Sequence, residues 1–163
     1  MLSIDNVVLA SLVIATAWLI VRLRRRGARG RRLAVSGAAA FYGALLLITM
    51  TAHTGDIVSR LWIGTGYDGK PMAYGFRVYG LFLLAAVLMG CGGVVLRAAL
   101  ALGAGDDAAR RAATFGAVAT LAVVAPLVPI QPFFAIPLTG LGVLLVAVLW
   151  LVAPTRVASL AAG

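Results

Sequence analysis

The chain has 163 residues, of which 63% are hydrophobic and only 12% charged, with a formal net charge of +9 and a mean hydropathy of +1.05. A soluble domain carries about 45–50% apolar and about 25% charged residues, and a globule this small could not hide so much apolar surface from water. A soluble enzyme, a disordered tail and a disulfide scaffold are therefore excluded, and the expectation is an all-α polytopic membrane helix bundle, one transmembrane domain over residues 1–163.

A helix crossing a hydrocarbon core of about 30 Å needs roughly 20 apolar residues. The first predicted span runs from about Ile4 to Val21, with Arg22 and Arg24 able to snorkel. Met1 to Asp5 offers no basic start, and the arginines follow the apolar stretch, the reverse of a cleavable signal, so the segment is expected to remain as a span. Arg22, Arg24, Arg25, Arg26, Arg29, Arg31 and Arg32 then crowd one short loop. Such a run between apolar segments marks a cytoplasmic loop. An attraction to anionic lipid, about 1 kcal/mol per basic residue near the surface, is the second reading. Nucleic acid is disfavoured, because the run contains no aromatic residue for base stacking.

The second predicted span is Leu33 to Ala52 and the third is Val78 to Leu96, bounded by Arg77 and Arg97. Ala112 to Ala153 is free of charge and too long for one span, and Pro126, Pro129, Pro132 and Pro137 interrupt it. Proline removes a helix donor and clashes with the preceding turn. Length therefore favours a hairpin of two spans, Ala112 to Val128 and Phe133 to Val152, over one broken span. Five spans with the N-terminus outside and the C-terminus inside place eleven basic residues on the cytoplasmic side and three (Arg60, Lys70 and Arg77) outside. The expected setting is a bacterial cytoplasmic membrane.

Lipid is as apolar as leucine, so helices associate through close packing of small residues. Ala86, Gly90, Gly93 and Arg97 share one face of the third span; Gly37, Ala40, Gly43 and Ala44 serve the second, and Gly140 and Gly142 the last. Packing inside the bundle is the first reading of these faces, and docking on another subunit the second. Trp62, Tyr67, Tyr74, Phe76 and Tyr79 form an outer interfacial belt, with Trp62 and Tyr67 as further candidates for a partner contact. Cys91, the only cysteine, reads as a small packing residue.

The loop after the second span carries the chain's one histidine, His53. Thr54 is placed to cap a short surface helix in which Ile57, Val58, Leu61 and Trp62 share a face and Asp56 pairs with Arg60. His53 at a span end reads first as an interfacial residue bonded to water or Asp56. As a ligand it could serve one axial position of a chlorophyll-type pigment or a haem, but zinc would need further ligands that the neighbourhood lacks. The stretch Thr51-Ala52-His53-Thr54-Gly55, followed by Gly64 and Gly66, resembles the Thr-(Ala/Gly)-His-x-Gly-Gly motif of a family of small uncharacterised bacterial membrane proteins. Asp56 stands where that motif has its second glycine. The resemblance implies haem or quinone association at His53.

Asp5 at the edge of the first span aside, no predicted span holds Asp, Glu or Lys between its ends, which argues against a proton pump or coupled carrier. Five acids and one histidine are too few and too dispersed for a catalytic set. The leading functional expectation is a non-catalytic accessory subunit that packs against a larger bacterial membrane complex, photosynthetic or respiratory, and otherwise contacts only lipid. It needs no cofactor, metal site or catalytic residue. The alternatives are a pigment-, haem- or quinone-binding module centred on His53, and an outer-face enzyme acting on lipid head groups.

Overall fold

The computed structural model describes residues 21–22, 25, 27–63, 76–129 and 132–151, and among these it contains only helix and turn. Four α-helices follow in order: α1 (Ala28–Ile63), α2 (Phe76–Ala104), α3 (Ala109–Val124) and α4 (Pro132–Leu151), with a 3₁₀ turn (Ala125–Leu127) extending α3. Three stretches are long and apolar enough to cross a membrane: Ala28–Leu61, Val78–Ala104 and Phe134–Leu151. The chain is thus a multi-span helical membrane protein. In hydrocarbon every backbone donor and acceptor must be satisfied within the segment, which leaves the helix as the form for such apolar runs. The first predicted span, residues 4–21, lies outside the described residues except for the helical Val21.

The charge-free hairpin divides where the prolines stand. α3 ends at Val124, and Pro126 sits inside the 3₁₀ turn, where one missing donor disrupts least. Pro132 opens α4, a first-turn position whose N–H would be orphaned in any residue. Pro137, by contrast, is accommodated inside α4. The turn between α2 and α3 depends on Gly105, whose φ of +105° few side chains tolerate. Asp106 N–H reaches back to the Ala101 carbonyl at 2.9 Å, and Gly105 N–H to Leu102 at 3.1 Å, closing the end of α2. The Asp106 carboxylate then accepts from Ala108 N–H at 2.9 Å and starts the return.

The helices run alternately up and down. Gly43 of α1 faces Gly92 and Leu96 of α2, while Ser36 faces Gly103. Gly116 of α3 faces Cys91 and Val95, and Gly142 of α4 faces Tyr42 and Leu121. Neighbours in sequence are neighbours in space, and α1 closes more loosely on α4. One core results, built from Tyr42, Leu46, Met50, Leu88, Val95, Val124 and Leu149 with small residues such as Ala39, Ala99, Ala113 and Ala117. Ile48, Tyr79, Leu83, Leu100 and Phe115 are 67–73% exposed, as lipid-facing residues are.

Two expectations change. The surface helix after the second span does not exist as a separate element: residues 54–63 continue α1, a helix of 36 residues or about 54 Å. No proline interrupts that stretch, Thr54 donates its hydroxyl to the Met50 carbonyl at 2.8 Å instead of capping a new helix, and Asp56 pairs with Arg60 on the next turns. Likewise α2 does not stop at Arg97 but runs seven residues further, to Ala104, because Ala98, Ala99 and Leu102 remain in the core.

Candidate functional site

Most of the charged residues among those described gather at one end of the bundle. Arg29, Arg31 and Arg32 open α1, Arg110 and Arg111 open α3, and Asp106 and Asp107 lie in the turn beside them. Arg22 and Arg25 are exposed on the approach to α1, while Arg24 and Arg26 lie outside the described residues. Arg32 rests against Gly105 at the C-terminus of α2, where helix carbonyls carry partial negative charge. Arg110 stacks over the Trp150 ring at 5.2 Å, and Trp150 Nε1 donates to Thr114 Oγ1 at 3.1 Å. The hydroxyl of Thr114 in turn donates to the Arg110 carbonyl at 2.9 Å. Trp150 is therefore the plate that holds one arginine at this end of the bundle.

The far end holds His53. It is half-buried in the extended part of α1, with exposed Gly55 two residues on. It forms no hydrogen bond among the described residues, and Asp56 directs both carboxylate oxygens to Arg60 Nε, at 3.1 and 3.2 Å. No group of three or more His, Cys, Asp or Glu residues is placed to hold a metal among the described residues. Trp62 falls in the last turn of α1, and Tyr67 lies outside the described residues. A cavity of about 200 Å³ opens between α1 and α4, lined by Ala34, Ala38, Phe41, Tyr42, Leu144 and Val148 among others. His53 is eleven residues from Tyr42 along α1, about 16 Å, so the cavity and the histidine do not form one site.

The small-residue faces sort differently from expectation. Ala86 and Gly90 are exposed and Gly93 is half-buried. A Cβ built on either glycine would meet nothing within 4 Å. This stripe does not pack inside the bundle; it faces outward, with Arg97 at its end also exposed. The glycines at helix contacts are Gly43, Gly92, Gly103, Gly116 and Gly142. Of these, Gly43 and Gly142 belong to faces foreseen from spacing, whereas Gly92, Gly103 and Gly116 were not singled out. Gly92 has Gly93 as its neighbour, and choosing between them requires the rotation of α2 about its axis, which the presence of Ala85, Leu88 and Val95 on the same side would have suggested. Cys91 is half-buried at the α2–α3 contact, a packing position as expected.

Arg97 stands apart from the other arginines. Seven residues of α2 separate it from the helix end, about 10 Å along the axis. Side chains of a helix lean toward its N-terminus, which for α2 is the far end. The first bonds of Arg97 thus lead away from the arginine-rich end. Comparison of the chain with protein-family models, with curated proteins and with solved structures finds no match in any of the three.

Proposed function

We propose that the chain is a non-catalytic accessory subunit that packs against a larger membrane complex through the outward face of α2. The observation that carries this reading is the stripe Ala86, Gly90 and Gly93, open to the outside and ending at Arg97. Small residues let two helix backbones approach closely. An arginine within the hydrocarbon region costs about 2.5–3.5 kcal/mol or more unless an acceptor meets it. A partner helix with a carboxylate or free carbonyl opposite Arg97 would offset that cost and fix the register. In this reading the arginine-rich end is cytoplasmic and residues 4–21 form the first of five spans. α3 with its 3₁₀ turn is the fourth, about 30 Å long in all. A photosynthetic or respiratory complex of a bacterial cytoplasmic membrane is the setting that suits a small subunit of this kind.

The test is native gel migration after mild solubilisation of the host membrane. The unaltered chain is expected to migrate with larger subunits. Gly90→Leu and Arg97→Leu should each release it as a free, folded subunit, while Phe115→Ala, at an exposed position of α3, should not. Release by none of the three, or equal release by all, would refute the α2 face as the docking surface.

A further inference from the structure

The cavity between α1 and α4 follows one face of α1. Ala34, Ala38 and Phe41 follow one another along α1 at spacings of four and three residues, and Tyr42 adjoins them on the same side. One turn before Ala34, on the same helical face, stands Arg31. Its Nε is buried without a hydrogen-bond partner. The lean of side chains toward the helix N-terminus carries Arg31 toward the arginine-rich end, where the head groups lie.

We infer that this groove and Arg31 together form a binding site for one anionic phospholipid, an acyl chain lying along α1 and α4 and the phosphate on the Arg31 guanidinium. The lining runs lengthwise along both helices, from Ala34 to Tyr42 on α1 and from Leu141 to Val148 on α4, about 12 Å, which suits part of an acyl chain. Its lining is alanine, leucine, valine and phenylalanine, and the one polar atom, the Tyr42 hydroxyl, already donates to the Leu138 carbonyl at 3.4 Å. Among the described residues that line the groove, none has a free polar group for a quinone carbonyl or a metal macrocycle. The charge complement lies one turn beyond Ala34: the Nε atoms of Arg31 and Arg32 are both buried without a hydrogen-bond partner. The Arg32 guanidinium, however, lies against Gly105 at the end of α2, which leaves Arg31 as the donor on the helical face of the groove. Since the groove lies on α1 and α4 and the docking face on α2, the inference does not depend on the accessory-subunit reading.

The test is native mass spectrometry of the full chain, delipidated in detergent and titrated with dioleoyl phosphatidylglycerol or dioleoyl phosphatidylcholine. One molecule of phosphatidylglycerol should be retained in preference to phosphatidylcholine. Arg31→Gln should weaken phosphatidylglycerol retention about fivefold, and Arg31→Lys should restore much of it. Arg111→Gln, at the same end but off the groove, should leave retention unchanged. Ala38→Phe, which fills the groove, should abolish retention of either lipid, with circular dichroism reporting that the helices persist. Equal losses for Arg31→Gln and Arg111→Gln would reduce the effect to a diffuse cationic surface and overturn the site. So would full retention in Ala38→Phe. Ala38→Cys, in a Cys91→Ser background, would likewise overturn it by cross-linking in high yield to Ala10→Cys or Ala17→Cys of the same chain or to a second copy, which would place protein where the lipid should lie.

Discussion

Gly43 and Gly37 lie less than two turns apart on α1, and the same substitution should have opposite effects at the two. A Cβ at Gly43 would sit 2.8 Å from both the Gly92 carbonyl oxygen and the Leu96 backbone nitrogen, and 3.1 Å from Leu96 Cβ. Backbone atoms cannot rotate aside, so Gly43→Ala must part α1 from α2 by about 0.6 Å to reach an ordinary contact of 3.4 Å. A gap of 0.5–1 Å forfeits about a quarter to a half of the dispersion energy of the contacts it opens, and overpacked cores lose about 1–3 kcal/mol. The expected loss for Gly43→Ala is therefore about 2 kcal/mol. Gly37→Ala meets nothing within 4 Å, and replacing a mid-helix glycine there should be neutral or stabilising by up to about 1 kcal/mol. The assay is reversible unfolding of the detergent-solubilised protein, read by circular dichroism. Gly92→Ala, whose Cβ would meet Leu46 Cβ at 3.0 Å and the Gly43 carbonyl oxygen at 3.1 Å, should cost less than Gly43→Ala, and the double variant should cost less than the two single losses combined, because one parting of the helices accommodates both methyl groups. Equal stabilities for Gly37→Ala and Gly43→Ala, within about 0.5 kcal/mol, would refute the claim that α1 and α2 meet backbone to backbone at Gly43.

Ser36→Ala removes a 2.6 Å hydrogen bond from the Ser36 hydroxyl to the Ala99 carbonyl and should lower stability by about 0.6 kcal/mol, the average for such bonds between membrane helices. Trp150→Phe keeps a ring beneath Arg110 but loses the donor to Thr114. A loss of about 1 kcal/mol should appear in the same unfolding assay, and an unchanged midpoint would show that this contact does not matter. Asp56→Asn breaks a half-exposed i,i+4 pair and should cost no more than about 0.5 kcal/mol, with lipid turnover unaffected if the far end is not an enzyme site. The visible spectrum of the purified protein should show no band that depends on His53; a Soret or chlorophyll-type band lost in His53→Ala would move the function to pigment binding.

Much of the architecture was legible in the sequence because it follows from composition and charge alone. Apolar runs of span length must be helical in lipid, and Pro126 and Pro132 mark the bend between α3 and α4 because proline cannot supply the donor a continuous helix needs. The clustering of arginines at one end was equally readable, since loops alternate between the two ends of such a bundle. The limits of α1 and α2 were not. Charged residues were read as helix boundaries, yet Asp56 and Arg60 ride on a helix that continues beyond the apolar stretch, and Arg97 lies within α2. Charge sets where a helix leaves lipid, whereas backbone hydrogen bonding sets where it ends.

What the chain's residues determined on their own, then, is a set of oily helices with a strongly basic end, because those properties sum over residues independently of how the helices are turned. Only the tertiary structure decided the rotation of each helix about its axis. That rotation puts Gly92 against Gly43 and leaves Gly90 open, and it turns Ala34, Ala38 and Phe41 toward α4 around the cavity between the two helices. On helices apolar all round, sequence periodicity does not distinguish the face that meets a neighbour from the face that meets lipid, since both are equally apolar. The choice follows from shape, from which small residue admits which backbone, and shape exists only once the helices are packed.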